Sequence, residues 1–277
     1  VIHVLKLGGG AGVNHETVLR NLAARIQTGE HWVLVHGASD AANRLSEAVG
    51  HPPQTITTPG GHTSRYTDAR TIELFSAAAG SVNQQMTAQL ASYGVRAVGL
   101  AGPNIIHARR KEAIRAIREG RQVIIRDDFS GTITGIESSV IHTLLTAGLT
   151  PVIAPLTPVI APLAMGAAFE RLNVDGDLVA AQLARSLGAD TLIILSNVPG
   201  LLRDVNDPNS VIPSFPMDEI TRYEGFAGGR MKKKVMAAAD AQLERTILAD
   251  SRLDQPIDAA LAGAGTHITR QQVIHVG

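Results

Sequence analysis

A short apolar strand, a glycine turn and then an amphipathic helix occur twice near the start of this chain, and that alternation narrows its fold more than any other feature. Residues 1–7, VIHVLKL, end in Lys6 and run into Gly8-Gly9-Gly10, after which Val18, Leu19, Leu22 and Ile26 recur at helical spacing. Residues 32–36, WVLVH, run into Gly37-Ala38-Ser39-Asp40 and a second helix through Leu45, with Ser39 or Asp40 as its N-cap. Consecutive units of this kind predict parallel βαβ construction. Apolar runs at 95–100 and 191–195 add further strands, so the expected class is α/β.

A glycine turn between strand and helix lets bare backbone N–H groups approach a phosphate. It also occurs for steric reasons alone, and both readings stay open at this point. The first turn is not a Walker A loop, because Lys6 precedes the glycines and no Gly-Lys-Ser/Thr follows. Further along, residues 172–177 read LNVDGD and lead into a buried-helix pattern of Leu178, Val179, Ala180, Leu183 and Leu187. Asn173 and Asp175 suit capping, whereas Asp177 falls in the first turn. Three short polar groups exceed what one cap requires. A second glycine cluster, Gly228-Gly229-Arg230-Met231-Lys232-Lys233-Lys234, opens a helix expected to run through Leu248. Three lysines at a helix N-terminus oppose the macrodipole, so an anion there would be stabilising. An Asp at one helix start, with lysine clusters on either side of it in sequence, forms a candidate phosphoryl-transfer centre.

Composition removes several alternatives. The 277 residues carry 25 basic and 25 acidic side chains, without the basic surplus on which a general nucleic-acid binder rests. Aromatics make up only 3%, too few for base-stacking platforms. There is no cysteine, which excludes disulfides, thiolate metal sites and a cysteine nucleophile. No apolar run approaches a membrane span, and a soluble cytoplasmic protein is expected.

The remaining segments are read in order. Residues 51–68 form an irregular loop holding Arg65, either a bidentate partner for a carboxylate or a solvated side chain. A long helix is expected over 69–92. Residues 104–129 hold seven basic residues against four acidic ones and read as a hairpin turning at Glu119-Gly120. That stretch, between Arg109 and Arg126, suits either an anionic partner or solvent. A helix is expected over 136–148. The heptapeptide TPVIAPL then occurs twice, at 150–156 and 157–163. Its prolines prevent one interior strand through both copies, so one copy is expected in the core and the other outside it. Polar residues 196–201, SNVPGL, follow a buried strand, where α/β sheets bind ligands. Closing strands are expected near 258–261 and 273–276.

Lys6 with Gly8-Gly9, His36-Gly37, Arg65, Asn173 with Asp177, Val198-x-Gly200 and the Gly-x-Met-x-x-Lys of 229–234 occur together and in order. With them the chain resembles the amino acid kinase family, in its N-acetylglutamate kinase branch. The subgroup it most resembles phosphorylates aminoadipate attached to a small acidic amino-group carrier protein in lysine biosynthesis. The resemblance covers nearly the whole length. It implies a three-layer αβα sandwich with a mostly parallel central sheet. It also implies an N-terminal acceptor-substrate lobe over 1–189 and a C-terminal nucleotide-binding lobe over 190–277. Lys6 and Lys234 would stabilise the transferring phosphoryl group, and Asp177 would hold them in place. Gly8, Gly9, Gly37 and Ala38 would offer backbone N–H groups. Arg65 and Asn173 would contact the acceptor, while Asn197, Gly200 and Lys233 would line the nucleotide side. The implied cofactors are ATP and Mg²⁺, with no protein metal ligand. The implied partners are the carrier protein, received between Arg109 and Arg126, and a second copy in a homodimer, with neither nucleic acid nor membrane. Two departures bear on the acceptor: Ala38-Ser39 stands where two glycines are common, and Asn197 where an Asp is usual. Free N-acetylglutamate kinase of arginine biosynthesis is the alternative enzyme. A silent amino-acid-binding regulator is disfavoured because Lys6, Asp177 and Lys234 are all present.

Overall fold

The computed structural model describes residues 1–61, 63–102, 105–118, 120–158 and 170–270. Its centre is an eight-stranded sheet. In spatial order the strands are β14 (Ser214–Pro216), β16 (Thr266–Thr269), β15 (Arg245–Asp250), β13 (Thr191–Ser196), β1 (Ile2–Leu7), β2 (His31–His36), β10 (Thr150–Ala154) and β5 (Ala97–Ala101). Every pairing is parallel except β15 with β16. The sheet runs without a break across residues 189 and 190, because β13 lies beside β1.

Strand alternation assigns the two faces. Val4, Val33, Val35, Leu192 and Ile194 point into one apolar layer with α5 (Gly176–Leu187), α7 (Gly229–Ala241) and the buried side of α4 (Ser139–Thr146). Leu5, Leu7, Trp32, Leu34, Ile193 and Leu195 point into the other. There α1 (His15–Gln27), α2 (Ser39–Ala48), α3 (Ala69–Ser92) and α8 (Pro256–Leu261) cover them. The result is the expected three-layer αβα sandwich. It buries Trp32 and the leucines and isoleucines of the sheet's central strands, leaving Ile2 and Leu100 partly exposed.

The first TPVIAPL copy supplies β10, as one copy was expected to. Pro151 is accommodated because β2 pairs with β10 only at Val152 and Ile153, so no partner there requires its missing N–H. The second copy begins in β11 (Leu156–Pro158), antiparallel to β12 (Arg171–Asn173); residues 159–163 lie outside the described residues.

Several expectations need correction. The loop over 51–68 contains a short hairpin, β3 (Thr55–Thr57) with β4 (Thr63–Arg65). The basic hairpin is narrower than 104–129: β7 (Ile114–Arg118) and β8 (Arg121–Ile125) form it, alongside β3. Upstream, β6 (Ile106–Arg110) pairs instead with β9 (Gly131–Ile136), and this strand shortens the helix expected over 136–148 to α4. The helix expected through Leu248 ends at Ala241, where Gln242 adopts the left-handed conformation and stops it. The run that follows becomes β15, buried beside β13. Residues 258–261 are helical in α8, with Pro256 at its start, so the closing strand is β16. The strand expected over 273–276 lies outside the described residues.

Candidate active site

The first two glycine turns meet at the C-terminal ends of β1 and β2. A Cβ on Gly9 would lie 2.2 Å from the Ala38 nitrogen, and one on Gly37 would lie 2.5 Å from the Gly9 nitrogen. No side chain fits at either place, so the glycines are required by this close approach. The amides divide into two sets. Gly8 N–H donates to Leu195 O (2.9 Å) and Gly37 N–H to Leu7 O (2.8 Å), extending the ladder between strands. Those two glycines therefore serve by shape, and their N–H groups are not free for a phosphate. Gly9, Gly10 and Ala38 N–H have no hydrogen bond among the described residues. The Gly9 carbonyl accepts from Asp40 N–H (2.7 Å) and Ser39 Oγ (2.9 Å), which fixes the start of α2 against the first turn.

Lys6 lies two residues from Val4 on β1, so alternation aims it at α5. Its partner there is Asp177, in the first turn of α5. Asp175 caps that helix, its Oδ1 accepting from Asp177 N–H (2.9 Å) and Leu178 N–H (3.2 Å). Asp177 is thereby freed from capping. Its Oδ2 accepts from Lys234 Nζ at 2.9 Å, and its Oδ1 lies 3.2 Å from Lys6 Nζ. The Lys6 contact is an ion pair without hydrogen-bond alignment, and its Nζ donates to Leu7 O (3.2 Å). Gly176 makes room for it, since a Cβ there would meet Lys6 Cε at 3.0 Å. Lys6, Asp177 and Lys234 are all buried. Burial alone would push the Asp177 carboxyl up, but Lys6 and Lys234 outweigh it and hold it well below the usual carboxylate range. Burial, reinforced by the Lys234 charge, lowers the Lys6 ammonium despite Asp177. Two cations share one carboxylate, so the group retains positive charge towards the strand ends.

Helical register decides among the lysines of α7. Lys234 reaches Asp177, Lys233 reaches Asp175 (3.3 Å) and Lys232 is exposed.

On one flank, Arg65 on β4 donates from Nη2 to Ser39 O (3.2 Å) and Asn43 Oδ1 (2.5 Å), with its guanidinium 5.7 Å from the Phe75 ring centroid. Its Nη1 is buried without a partner, a donor suited to an incoming anion. Asn173 Nδ2 donates to Thr67 Oγ1 (3.2 Å), and Thr67 N–H donates to Asp128 (2.8 Å). Asp128 and Thr67 had no signal in the local pattern, since only the fold brings β4, β9 and β12 to one place. On the opposite flank, Asn197 Nδ2 donates to Ala11 O (3.2 Å), tying the strand-β13 turn to the first glycine loop. Gly200 is buried at φ 155°, where a Cβ would stand 2.7 Å from Thr266 Oγ1. Its glycine is thus explained by packing under Thr266. Arg230, part of the second glycine cluster but not singled out from sequence, lays its Nη1 3.3 Å from where a Gly10 Cβ would stand.

A cleft of about 670 Å³ adjoins the two turns, between α2 and α3. Gly9, Gly10 and Ala38 line it, but Lys6, Asp177, Lys234 and Arg65 do not. The charged chemistry therefore belongs to the strand ends beside that cleft. What converges there is a set of unbonded amides, a net-cationic buried ion group and an orphaned guanidinium donor, an arrangement that fits a polyphosphate facing a carboxylate.

The profile of the amino acid kinase family matches residues 2–247. Over 272 residues the chain is 42% identical to a LysW-aminoadipate kinase of Deinococcus radiodurans, covering 96% of this chain and 91% of that protein. It is 39% identical over 271 residues to a LysW-aminoadipate kinase of Thermus thermophilus, covering 95% and 98% respectively. Among solved structures, N-acetylglutamate synthase from Neisseria gonorrhoeae, complexed with coenzyme A and N-acetyl-glutamate, aligns with a TM-score of 0.77 at 22% identity. That alignment covers 98% of this chain and 60% of the synthase. Carbamate kinase from Giardia lamblia bound to AMP-PNP aligns with a TM-score of 0.71 at 16% identity, covering 98% of both chains. Both structures share this fold.

Proposed function

The chain belongs to the amino acid kinase family, and we propose that it transfers the γ-phosphoryl group of ATP to the side-chain carboxylate of aminoadipate held on an amino-group carrier protein. The observation that carries the reaction class is the buried Lys6–Asp177–Lys234 group beside the unbonded Gly9, Gly10 and Ala38 amides. An acceptor carboxylate oxygen attacks the γ-phosphorus, the bond to the β,γ-bridging oxygen breaks, and ADP leaves with that electron pair. The acceptor is already an anion, so no general base is required. The protein's task is alignment and charge neutralisation. Lys6 and Lys234 face the charge that spreads over the transferring group, and Asp177 keeps both ammoniums in place. Arg65 Nη1 and Asn173 orient the acceptor, and Asn197, Gly200 and Lys233 border the nucleotide side.

Mg²⁺ enters this reading with ATP, held by phosphate oxygens and water. Among the described residues no group of three or more His, Asp or Glu side chains is spaced to hold a metal ion. Division of labour between residues 1–189 for the acceptor and 190–277 for the nucleotide, a homodimer and a cytoplasmic setting belong to the same proposal. No helix among the described residues is long and apolar enough to cross a membrane.

The carrier reading draws on the similarity to the two aminoadipate kinases and on the exposed arginines of the β7–β8 hairpin. A coupled assay for ADP release tests it. Carrier-linked aminoadipate should be turned over with MgATP, and free N-acetylglutamate should not. Turnover of free N-acetylglutamate without the carrier would replace this reading with the arginine-pathway kinase, and no turnover of either would favour a regulator.

A further inference from the structure

Arg230 has no ion pair or hydrogen bond to any described residue, although it reaches across the site. It starts from the first turn of α7, and its Nη1 lies 3.3 Å from where a Cβ on Gly10 would stand. It stands four residues before Lys234, so both side chains share one face of the helix. Lys234 is anchored below, on Asp177. Arg65, beside the start of α2, has a buried and unpartnered Nη1. The two guanidiniums are near enough that the charge of Arg230, after burial itself, lowers the Arg65 pKa. An anion between like charges relieves their repulsion, here partly screened by solvent because Arg230 is exposed. A side chain at position 10 would crowd the guanidinium, and the Gly10 amide beside it is itself unbonded.

We propose that Arg230 is a further catalytic residue, gripping the phosphoryl group during transfer from above the Gly10 turn while Lys6 and Lys234 hold it from the α5 side. This rests on the phosphoryl-transfer reading above. A guanidinium presents two N–H groups in a planar fork, which matches two non-bridging oxygens of the transferring group. It supplies no proton and forms no covalent bond. Arg65 stays with the acceptor carboxylate, so the two arginines bracket the bond that forms.

Binding of MgADP with and without aluminium fluoride, an analogue of the phosphoryl group in flight, separates this role from a structural one. The measurement is by calorimetry on the wild type, Arg230→Ala and Arg230→Lys. Arg230→Ala should weaken the aluminium fluoride complex by at least about tenfold, as loss of a charged transition-state donor does. Affinity for MgADP alone should stay within about twofold, since nothing in the proposal ties Arg230 to the diphosphate. Arg230→Lys should recover only part of the loss, because a point charge lacks the fork. Equal weakening of both complexes would overturn the proposal in favour of a nucleotide or structural contact, and so would no change in either. If the wild type forms no aluminium fluoride complex, the phosphoryl-transfer reading fails and takes the inference with it. If it forms one that Arg230→Ala leaves intact, only the inference fails.

Discussion

At Asp177 a single carboxylate meets two buried lysines, and most of the site's behaviour follows from that imbalance. Replacing Asp177 by Asn leaves Lys6 and Lys234 buried and mutually repelling. Breaking a buried pair in this way costs about 3–5 kcal/mol. The Asp177→Asn variant should therefore unfold at clearly lower urea and lose turnover as well. Lys6→Ala and Lys234→Ala differ, because each leaves Asp177 with one cation. They should keep most of their stability while turnover falls by about 10²–10³-fold, the usual loss for one preorganised charge-stabilising donor. Near-normal turnover in either lysine variant would remove that residue from the catalytic set. The sign of the pH response follows from the Lys6 shift. Burial lowers its pKa below 10.5, so the cation is lost earlier on alkalinisation than for a free lysine. The alkaline limb of turnover should move with it. Asp177 acts at the other extreme: its contribution to stability is complete above 3.8 and is lost as pH falls through its depressed value.

The β7–β8 hairpin shows how register redistributes charge that looks uniform in sequence. Arg118 and Arg121 sit directly opposite one another at its tip, both exposed, on the face that also carries Ala116 and Val123. Arg115 projects from the other face, beside the exposed Ile117 and Ile124. Arg110 is half-buried and held against the protein. It pairs with Glu170 (3.1 Å) and stacks on Phe129, with 3.9 Å from guanidinium carbon to ring centroid. Exposed positive charge therefore lies on the hairpin and at Arg109, Lys111 and Arg126, with Arg110 withdrawn from it. A like-charge pair across strands is unfavourable, and an acidic partner relieves it. Reversing both residues, Arg118→Glu with Arg121→Glu, keeps one like-charge pair and so matches hairpin stability. The double variant should raise the Michaelis constant for carrier-linked aminoadipate by at least about tenfold at low salt and leave that for ATP alone. The wild-type constant should rise with salt, as expected for charges within about one Debye length, ~10 Å. Flat salt dependence together with an unaffected double variant would remove the hairpin from carrier recognition.

The whole molecule is held by two apolar layers on one sheet, and His36 shows what that burial costs. Alternation on β2 aims His36 at α3, where Asn83 Nδ2 lies 3.0 Å from its Nε2 and also donates to Val152 O (2.9 Å). Burial pushes the ring down to about 4, so it stays neutral well below its ordinary value of 6.5. Between those values the unfolded chain binds a proton that the folded chain refuses. Stability must therefore fall as pH drops from 6.5 to about 4, by about 2 kcal/mol at pH 5 from this residue. Urea unfolding of wild type and His36→Gln at pH 7 and pH 5 measures it. The variant should show a smaller acid loss than the wild type. An identical loss would place the proton uptake elsewhere.

Much of this protein is legible in its sequence because local rules suffice. Apolar runs ending in glycine mark β1, β2 and the turns that follow, and the helix over 69–92 is read to its ends because Asp68 caps it. The lysines of the second cluster and Asp177 stand out because cations at a helix start, and an acid beyond what a cap needs, have no local explanation. Where local signals were mixed, the tertiary structure decided. The run after Gln242 has helical continuity in sequence, yet the place beside β13 draws it into the sheet as β15, because burial on both faces outweighs propensity. Which lysine reaches Asp177 depends on the packing of α7 on α5. Whether a glycine offers its N–H or only its missing side chain depends on which carbonyl lies opposite, as Leu195 and Leu7 do for Gly8 and Gly37. Sequence dictates residue types and periods. The distances between residues far apart in the chain, and therefore the charge balance of the site, exist only once the sheet has brought the strand ends together.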